Sequence, residues 1–371
     1  MNIRSVLQLP VLLATLGLVA GTYDEKKNMA PECAPLCYAG PMLECDNNWD
    51  VMGAAVLEQV NVQGAEVALL TDRGKAQFPQ NAETIQQPES FWWGFKVGLG
   101  YKDWTDNWKT SVRYNYFKAI SNSTLQTSYG QQFIASEYAN QYVAYGASNP
   151  TYGFENLQAG TYTLINNLNF LLGRPTLITP NLELTTSYGV TATWMTRRQL
   201  SVFTNDTTLA GNGQPVNYSS QLGAFFQNYQ KYSWWGVGPM VSFHSNWYLG
   251  NNVGIYADAY GAVTYGQSNV RNSTFSRRTV APGSISGGYS ATEAVLNNSL
   301  YQFSPEANFQ LGLNWSNLFR EDTVKVEFQI GYETAYYFQV MKTPLPNIIY
   351  NLANGSGIGI QGLVLQGSVD F

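Results

Sequence analysis

The chain has 371 residues and a mass of 41.2 kDa, enough for one large domain or two to three ordinary ones. Charged residues make up only 12%, against about 25% in a typical soluble domain. Aromatic residues reach 14%, which argues against disorder, and a mean hydropathy of −0.20 excludes a helical membrane bundle. The net charge of −5 and a pI near 5.0 speak against a nucleic-acid partner. One histidine, His244, excludes multi-histidine metal sites. Few charges, many aromatics, 34 glycines and a polar remainder of Asn, Gln, Ser and Thr suit a membrane β-barrel.

At the N-terminus, Arg4 supplies a positive charge ahead of an apolar run from Val6 to Ala20. The run is shorter than the about 20 residues that a transmembrane anchor needs, and small residues follow it. Residues 1–21 are therefore read as a signal peptide, 22–48 as a cysteine-containing segment and 49–371 as the membrane domain. Cys33, Cys37 and Cys45 have no nearby histidine, which weakens a metal reading. They are candidates for one local disulfide plus a spare thiol, or for cross-linking to an envelope neighbour through the odd thiol.

Period-two alternation dominates the rest of the chain. Trp49–Val60 and Ala65–Leu70 read as an opening hairpin. From Phe91 to Lys102, the apolar face of Trp93, Phe95, Val97 and Leu99 opposes Trp92, Gly94, Lys96 and Gly98. After a polar turn, Trp108, Val112, Tyr114 and Tyr116 oppose Lys109, Ser111, Arg113 and Asn115. Gly160–Leu172 and Leu182–Trp194 continue the pattern, with Gln199–Thr204 read as a separate return. Trp235–Trp247 alternates with Gly236, Gly238, Met240, Ser242, His244 and Asn246. Val253–Thr264, Phe309–Ser316 and Val324–Tyr336 follow in the same rhythm. Because the polar face carries mostly small neutral residues, it suits a lumen better than bulk water.

No other segment could cross as a helix, so membrane entry requires strands closed into a ring without open edges. The expectation is an all-β fold, a transmembrane antiparallel β-barrel of about twelve strands, an even count, with long extracellular loops. Four polar segments without alternation are read as those loops: Asp72–Glu89, Ser121–Asn156, Asn205–Tyr229 and Gln267–Asn298. Phe371 ends the chain on the apolar face of Leu363, Leu365 and Val369. A terminal aromatic at that parity is read as the signal for the outer-membrane barrel assembly machinery.

Trp234-Trp235-Gly236-Val237-Gly238-Pro239, running on to Trp247-Tyr248-Leu249-Gly250, resembles a hallmark of the Legionella-type pore-forming outer-membrane proteins. These are porins similar to the major outer membrane protein and occur also in environmental chlamydiae. Gly94–Tyr101 and Phe309–Trp315 are similar to strands of that family, and the likeness spans Trp49–Phe371. The chain departs from the family around Met240 and His244, so ion preference does not transfer. The resemblance implies a pore in the Gram-negative outer membrane, no cofactor and no catalytic residues, and leaves a homo-oligomer open.

The leading function is thus a passive aqueous channel for ions and small solutes, with outer-membrane lipid around it. By parity, Lys96, Lys102, Lys109, Arg113, Glu183, Arg197, Asp258, Lys325, Glu327 and Glu333 line the pore, with Asp370 beside them. Rings of mixed charge at a constriction would set selectivity. The alternative for each is an inward salt-bridge network that fills a narrow barrel. A structural or adhesive envelope protein cross-linked through the cysteines is the second function. An enzyme would have to use His244 as its base, yet its parity points it into the barrel and no second base accompanies it, so a non-enzymatic reading is preferred.

Overall fold

The computed structural model describes residues 40–41, 48–62, 67–71, 82–86, 90–103, 107–126, 133–135, 152–209, 215–216, 225–279, 289–320, 323–344 and 353–371. Ten long strands form its wall: β1 (Asn48–Val62), β2 (Trp92–Asp103), β3 (Trp108–Gln126), β4 (Tyr152–Thr179) and β5 (Leu182–Leu209). β6 (Phe225–Gly250), β7 (Val253–Thr279), β8 (Tyr289–Phe319), β9 (Val324–Pro344) and β10 (Ala353–Asp370) complete it. Each pairs antiparallel with its sequence neighbours, and β1 pairs with β10, so the sheet closes. At the seam Asp50 stands opposite Asp370, and the Trp49 and Phe371 backbones exchange hydrogen bonds of 2.8 and 2.9 Å. Through the apolar band closure pairs every strand on both sides, which is what lipid demands of a strand-built protein.

Tight turns gather at one end. Pro180 and Asn181 join β4 to β5, and Asn251 and Asn252 join β6 to β7. Both asparagines have positive φ, 53° and 65°, which a two-residue hairpin of right-handed strands requires and asparagine tolerates. The longer connections lie at the opposite end, so the tight-turn end faces the periplasm. The β6–β7 ladder is interrupted in mid-strand. Pairing of β6 with β7 runs from Phe225 to Val237 and resumes at Met240, skipping Gly238 and Pro239, since proline has no N–H for the ladder.

Outward residues are apolar through one band. Phe95, Val97, Leu99, Val237, Val241, Phe243, Leu311, Leu313, Phe328 and Ile330 are all exposed, as alternation expects of a lipid face. Aromatic residues bound the band: Trp49, Tyr101, Trp247, Trp315 and Phe371 toward the tight turns, and Trp93, Trp194, Trp235, Tyr265 and Phe303 above. Some pack against each other at a tilt, as Trp49 does with Tyr101 at 5.1 Å and Tyr265 with Phe303 at 4.9 Å between ring centroids. On β6, Trp235 and Trp247 are separated by a rise of about 40 Å along the strand. At a tilt near ~40° that is about 30 Å along the membrane normal, enough for an apolar band of ~25 Å with a girdle at each edge.

The wall has ten strands where alternation suggests about twelve. A membrane crossing takes about 9–11 residues, yet β6 has 26 and β8 has 31. The barrel therefore rises well beyond the bilayer on the side of the long connections. There the outer face meets water instead of lipid, alternation fades, and strand reads as loop. Gln267–Asn298 belongs mostly to β7 and β8, the two ends of Asn205–Tyr229 continue β5 to Leu209 and β6 from Phe225, and Gln199–Thr204 is part of one unbroken β5. Ser121–Gln126 and Tyr152–Asn156 likewise belong to β3 and β4. The opening hairpin is also corrected: Ala68–Thr71 pairs with Ala82–Ile85, inside another expected loop, and with Phe133–Ala135, not with β1. Cys33, Cys37, Cys45 and the expected signal peptide lie outside the described residues.

Candidate functional site

The inward residues form three layers, met in order from the periplasmic end. Closest to the tight turns lies a vestibule of charge. Lys109 pairs with Asp50 at 2.5 Å, His244 Nδ1 with Asp258 at 2.7 Å, and Lys325 with Glu327 at 3.1 Å. Glu183 and Asp370 lie within electrostatic reach of Lys102 and Lys325, and Arg113 within reach of Asp50 and Asp258. Solvent enters this layer: the side chains of Lys109 and His244 keep 31% and 28% of their accessibility. Glu327 is held more firmly, accepting from Asn314 at 3.3 Å and Gln329 at 2.6 Å besides its lysine.

The second layer is dominated by carboxylates. Lys96 pairs with Glu333, which also accepts from Asn308 at 2.5 Å. Buried Glu58 lies beside Glu333. Across the lumen, Glu306 accepts from Thr193 and Thr264, each at 3.2 Å, while Asn167 donates to Thr191 and Thr193 at 2.9 Å. A cavity of about 30 Å³ lies here, bounded by Glu58, Lys96, Asn167, Tyr260 and Glu333 together with residues of the layer above. That is room for about one water molecule.

The third layer is apolar and packs across the lumen. Ile165 from β4, Met195 from β5, Tyr232 and Trp234 from β6 and Val270 from β7 pack together with Ala335, Tyr337 and Val340 from β9 and Ile358 and Ile360 from β10. β4 and β9 stand on opposite walls of a ten-strand ring, so these side chains meet across the interior. The Trp234 indole lies over Gly236, where a Cβ would sit 2.7 Å from the ring. Trp234 is only 2% exposed. Above this layer, Ala68 and Val67 pack on Leu157, Ala159 and Phe203, so part of the β1–β2 connection tucks against the inner wall.

All the residues expected from parity to line a pore stand on the inner face, but they do not form one ring. Lys102, Lys109, Arg113, Glu183, Asp258, Lys325, Glu327 and Asp370 share the vestibule, while Lys96 and Glu333 belong to the second layer. Arg197 lies beyond Met195 on β5, above the apolar layer, buried against Gln199 at 2.8 Å. His244 also points inward, toward the periplasmic end and away from any rim where a surface substrate would dock. Nearby Met240 is buried with Leu171 and Ala262. Among the described residues no cluster of three or more His, Cys, Asp or Glu side chains could hold a metal.

Glu58, Glu306 and the apolar layer were not singled out from the sequence. Their signal was available: inward parity places an apolar side chain at Ile165, Met195, Trp234 and Val270, breaking the polar-inward rule on four successive strands.

No curated protein matches the chain. Among solved structures it is similar to the outer membrane protease OmpT from Escherichia coli, at 10% identity over 89% of this chain and 98% of that one, with a TM-score of 0.33. It is also similar to a Pseudomonas aeruginosa FadL homologue (7% identity, 88% and 90% coverage, TM-score 0.27). The toluene transporter TodX from P. putida gives 8%, 90% and 92%, and 0.28. Scores this low transfer neither fold detail nor function. The family comparison is stronger, because it spans the whole described barrel and agrees with the closed sheet, the girdles and the outward apolar band. This outer-membrane β-barrel, matched over residues 43–371, belongs to the family of the Legionella pneumophila major outer membrane protein precursor.

Proposed function

We propose that the barrel is a channel for ions and small solutes, in a closed conformation here, with the apolar layer around Trp234 as its gate. The observation that carries this reading is the gradient of solvent access along one continuous interior. Side-chain accessibility falls from 31% at Lys109, through 14% at Lys96 and 7% at Glu333, to the fully packed apolar layer. A structural plug would have no need of a hydrated, mixed-charge vestibule beneath it, whereas a conduction path does. Hydrophobic constrictions gate by excluding water, and charged rings beside them select ions.

On this reading the charged residues of the vestibule are pore-lining, and His244 with Asp258 is part of the wall, not a catalytic pair. The cleaved leader, the role of Phe371 in assembly and any homo-oligomer belong to the same reading of the protein as an exported porin. Planar-bilayer recording of the refolded barrel tests it. Discrete conductance steps are expected, rare in wild type and frequent once the apolar layer is thinned. A folded barrel that stays silent in both forms would overturn the proposal.

A further inference from the structure

The outer surface above the upper girdle carries a row of cations with no acidic neighbour opposite them in the ladder. On β6, Lys231 stands directly opposite Arg198 of β5 on one side and Arg271 of β7 on the other. Arg198 in turn faces Tyr162 of β4. The Tyr162 ring lies 5.7 Å from the Arg198 guanidinium and 5.5 Å from the Lys118 ammonium of β3. All four cations sit at outward parity, Arg198 and Arg271 exposed and Lys118 and Lys231 half-buried. Among the residues whose side chains are described, no Asp or Glu faces outward on β3 to β7; Asp206 of β5 shares the parity of Arg198 but stands eight residues farther along the strand.

Like charges directly opposite one another on neighbouring strands, about 4.8 Å apart, are destabilising. Three such residues side by side, with no carboxylate opposite any of them in the ladder, call for an external anion. Height identifies the anion. Trp194 and Trp235, themselves opposite partners, lie four residues below Arg198 and Lys231 toward the hydrocarbon. Four residues on a tilted strand lift the cations by about 10 Å above the girdle, into the headgroup layer. Because the tight turns face the periplasm, this is the outer leaflet.

We propose that Lys118, Arg198, Lys231 and Arg271 form a binding site for a phosphorylated glycolipid of the outer leaflet, its phosphates held by the cations and its acyl chains lying along the apolar band below. Guanidinium groups suit phosphate because they donate two parallel hydrogen bonds, and the lysines add compact charge on either side. Tyr162 positions Lys118 and Arg198 by cation–π contact, so the site is partly formed before lipid arrives.

Thermal unfolding of the refolded barrel in a neutral detergent, with bisphosphorylated lipid A added, tests the site. The triple substitution R198Q/K231Q/R271Q is compared with wild type and with R174Q, an exposed arginine at the periplasmic end. Lipid A is expected to stabilise wild type and R174Q alike, with an apparent dissociation constant at least tenfold weaker for the triple variant. Without lipid the triple variant should melt at or above wild type, since it relieves crowded charge, and this also shows that it folds. Dephosphorylated lipid A should give little stabilisation, and inorganic phosphate at the same concentration none. An equal response of the triple variant, a full response to dephosphorylated lipid A, or a full response to inorganic phosphate would each overturn the proposal.

Discussion

Replacing Trp234 with alanine removes the largest side chain of the apolar layer without touching a charged group. The indole is almost wholly buried, and its Nε1 has no hydrogen-bond partner among the described residues. If the space stayed dry, the loss of packing would cost about 3–5 kcal/mol, the range for a large aromatic cut back to alanine in a core. The cavity beneath Ile165 and Tyr337 of the same layer already has room for about one water, and the indole would leave space for several more at ~30 Å³ each. Water entering from the vestibule would then link the hydrated half of the lumen to the half above. The expectation is that W234A remains a folded barrel, with stability lowered by no more than about 3 kcal/mol because water offsets part of the cavity cost. Its single-channel conductance, or its open probability, should rise several-fold over wild type in planar bilayers. Stability is read from urea titration in lipid vesicles and folding from mobility on unheated gels. A folded W234A with wild-type conductance and the full dry-cavity cost would refute the reasoning, because the layer would then be a plug that water does not cross.

Ile330 faces lipid between Leu313 and Leu365, so I330R should destabilise the barrel by about 2–4 kcal/mol in vesicles. Comparable stability of I330R and I330A would place that face elsewhere. A methyl group added at Gly238 would run into the Val263 carbonyl oxygen and lie 2.7 Å from Thr264 Cα, both backbone atoms that cannot turn aside. G238A should therefore sharply reduce the folded fraction on unheated gels, whereas G53A, in open space on the outer face, should not. Deleting Phe371 removes an exposed aromatic and the backbone pair with Trp49 at the seam, and assembly by reconstituted machinery in proteoliposomes should slow markedly.

Inside the bilayer the faces of the strands were legible, because lipid imposes a strict rule on every second residue. Lys325 and Val326 illustrate it: a one-residue slip would exchange an inward charge for an outward one, and the structure keeps the register that alternation chose. Strand number was not legible, because that rule ends where the membrane ends. Gln267–Asn298 contains Gln267, Asn269, Arg271 and Ser273 at outward positions, polar as any loop, yet it is ladder throughout β7. Nor does alternation show what inward side chains meet. Lys96 and Glu333 are far apart in sequence, and only the closed ring brings β2 and β9 into reach of each other. The net charge of −5 concealed the basic row as well, since its four cations come from four different strands and the acidic residues face inward or lie elsewhere.

Ion preference follows from which vestibule charge is left without its partner. Lys109 holds Asp50 at 2.5 Å, and Asp50 stands opposite Asp370 across the β1–β10 seam. Converting Lys109 to glutamine leaves two carboxylates side by side in the hydrated part of the lumen. A unit charge about 4 Å away contributes between ~1 kcal/mol in bulk water and ~4 kcal/mol at a protein surface. Even the lower figure enriches a passing cation roughly fivefold, since about 1.4 kcal/mol is tenfold. In a tenfold KCl gradient, full cation selectivity corresponds to about 59 mV at one charge per ion. K109Q should move the reversal potential toward that limit by a sizeable part of it, measured in the W234A background so that the path is open. Arg271 lies on the outer wall, so R271Q in the same background should leave the reversal potential in place. If K109Q leaves it unmoved, or R271Q moves it as far, ions do not pass through the vestibule and the conduction path must be sought elsewhere.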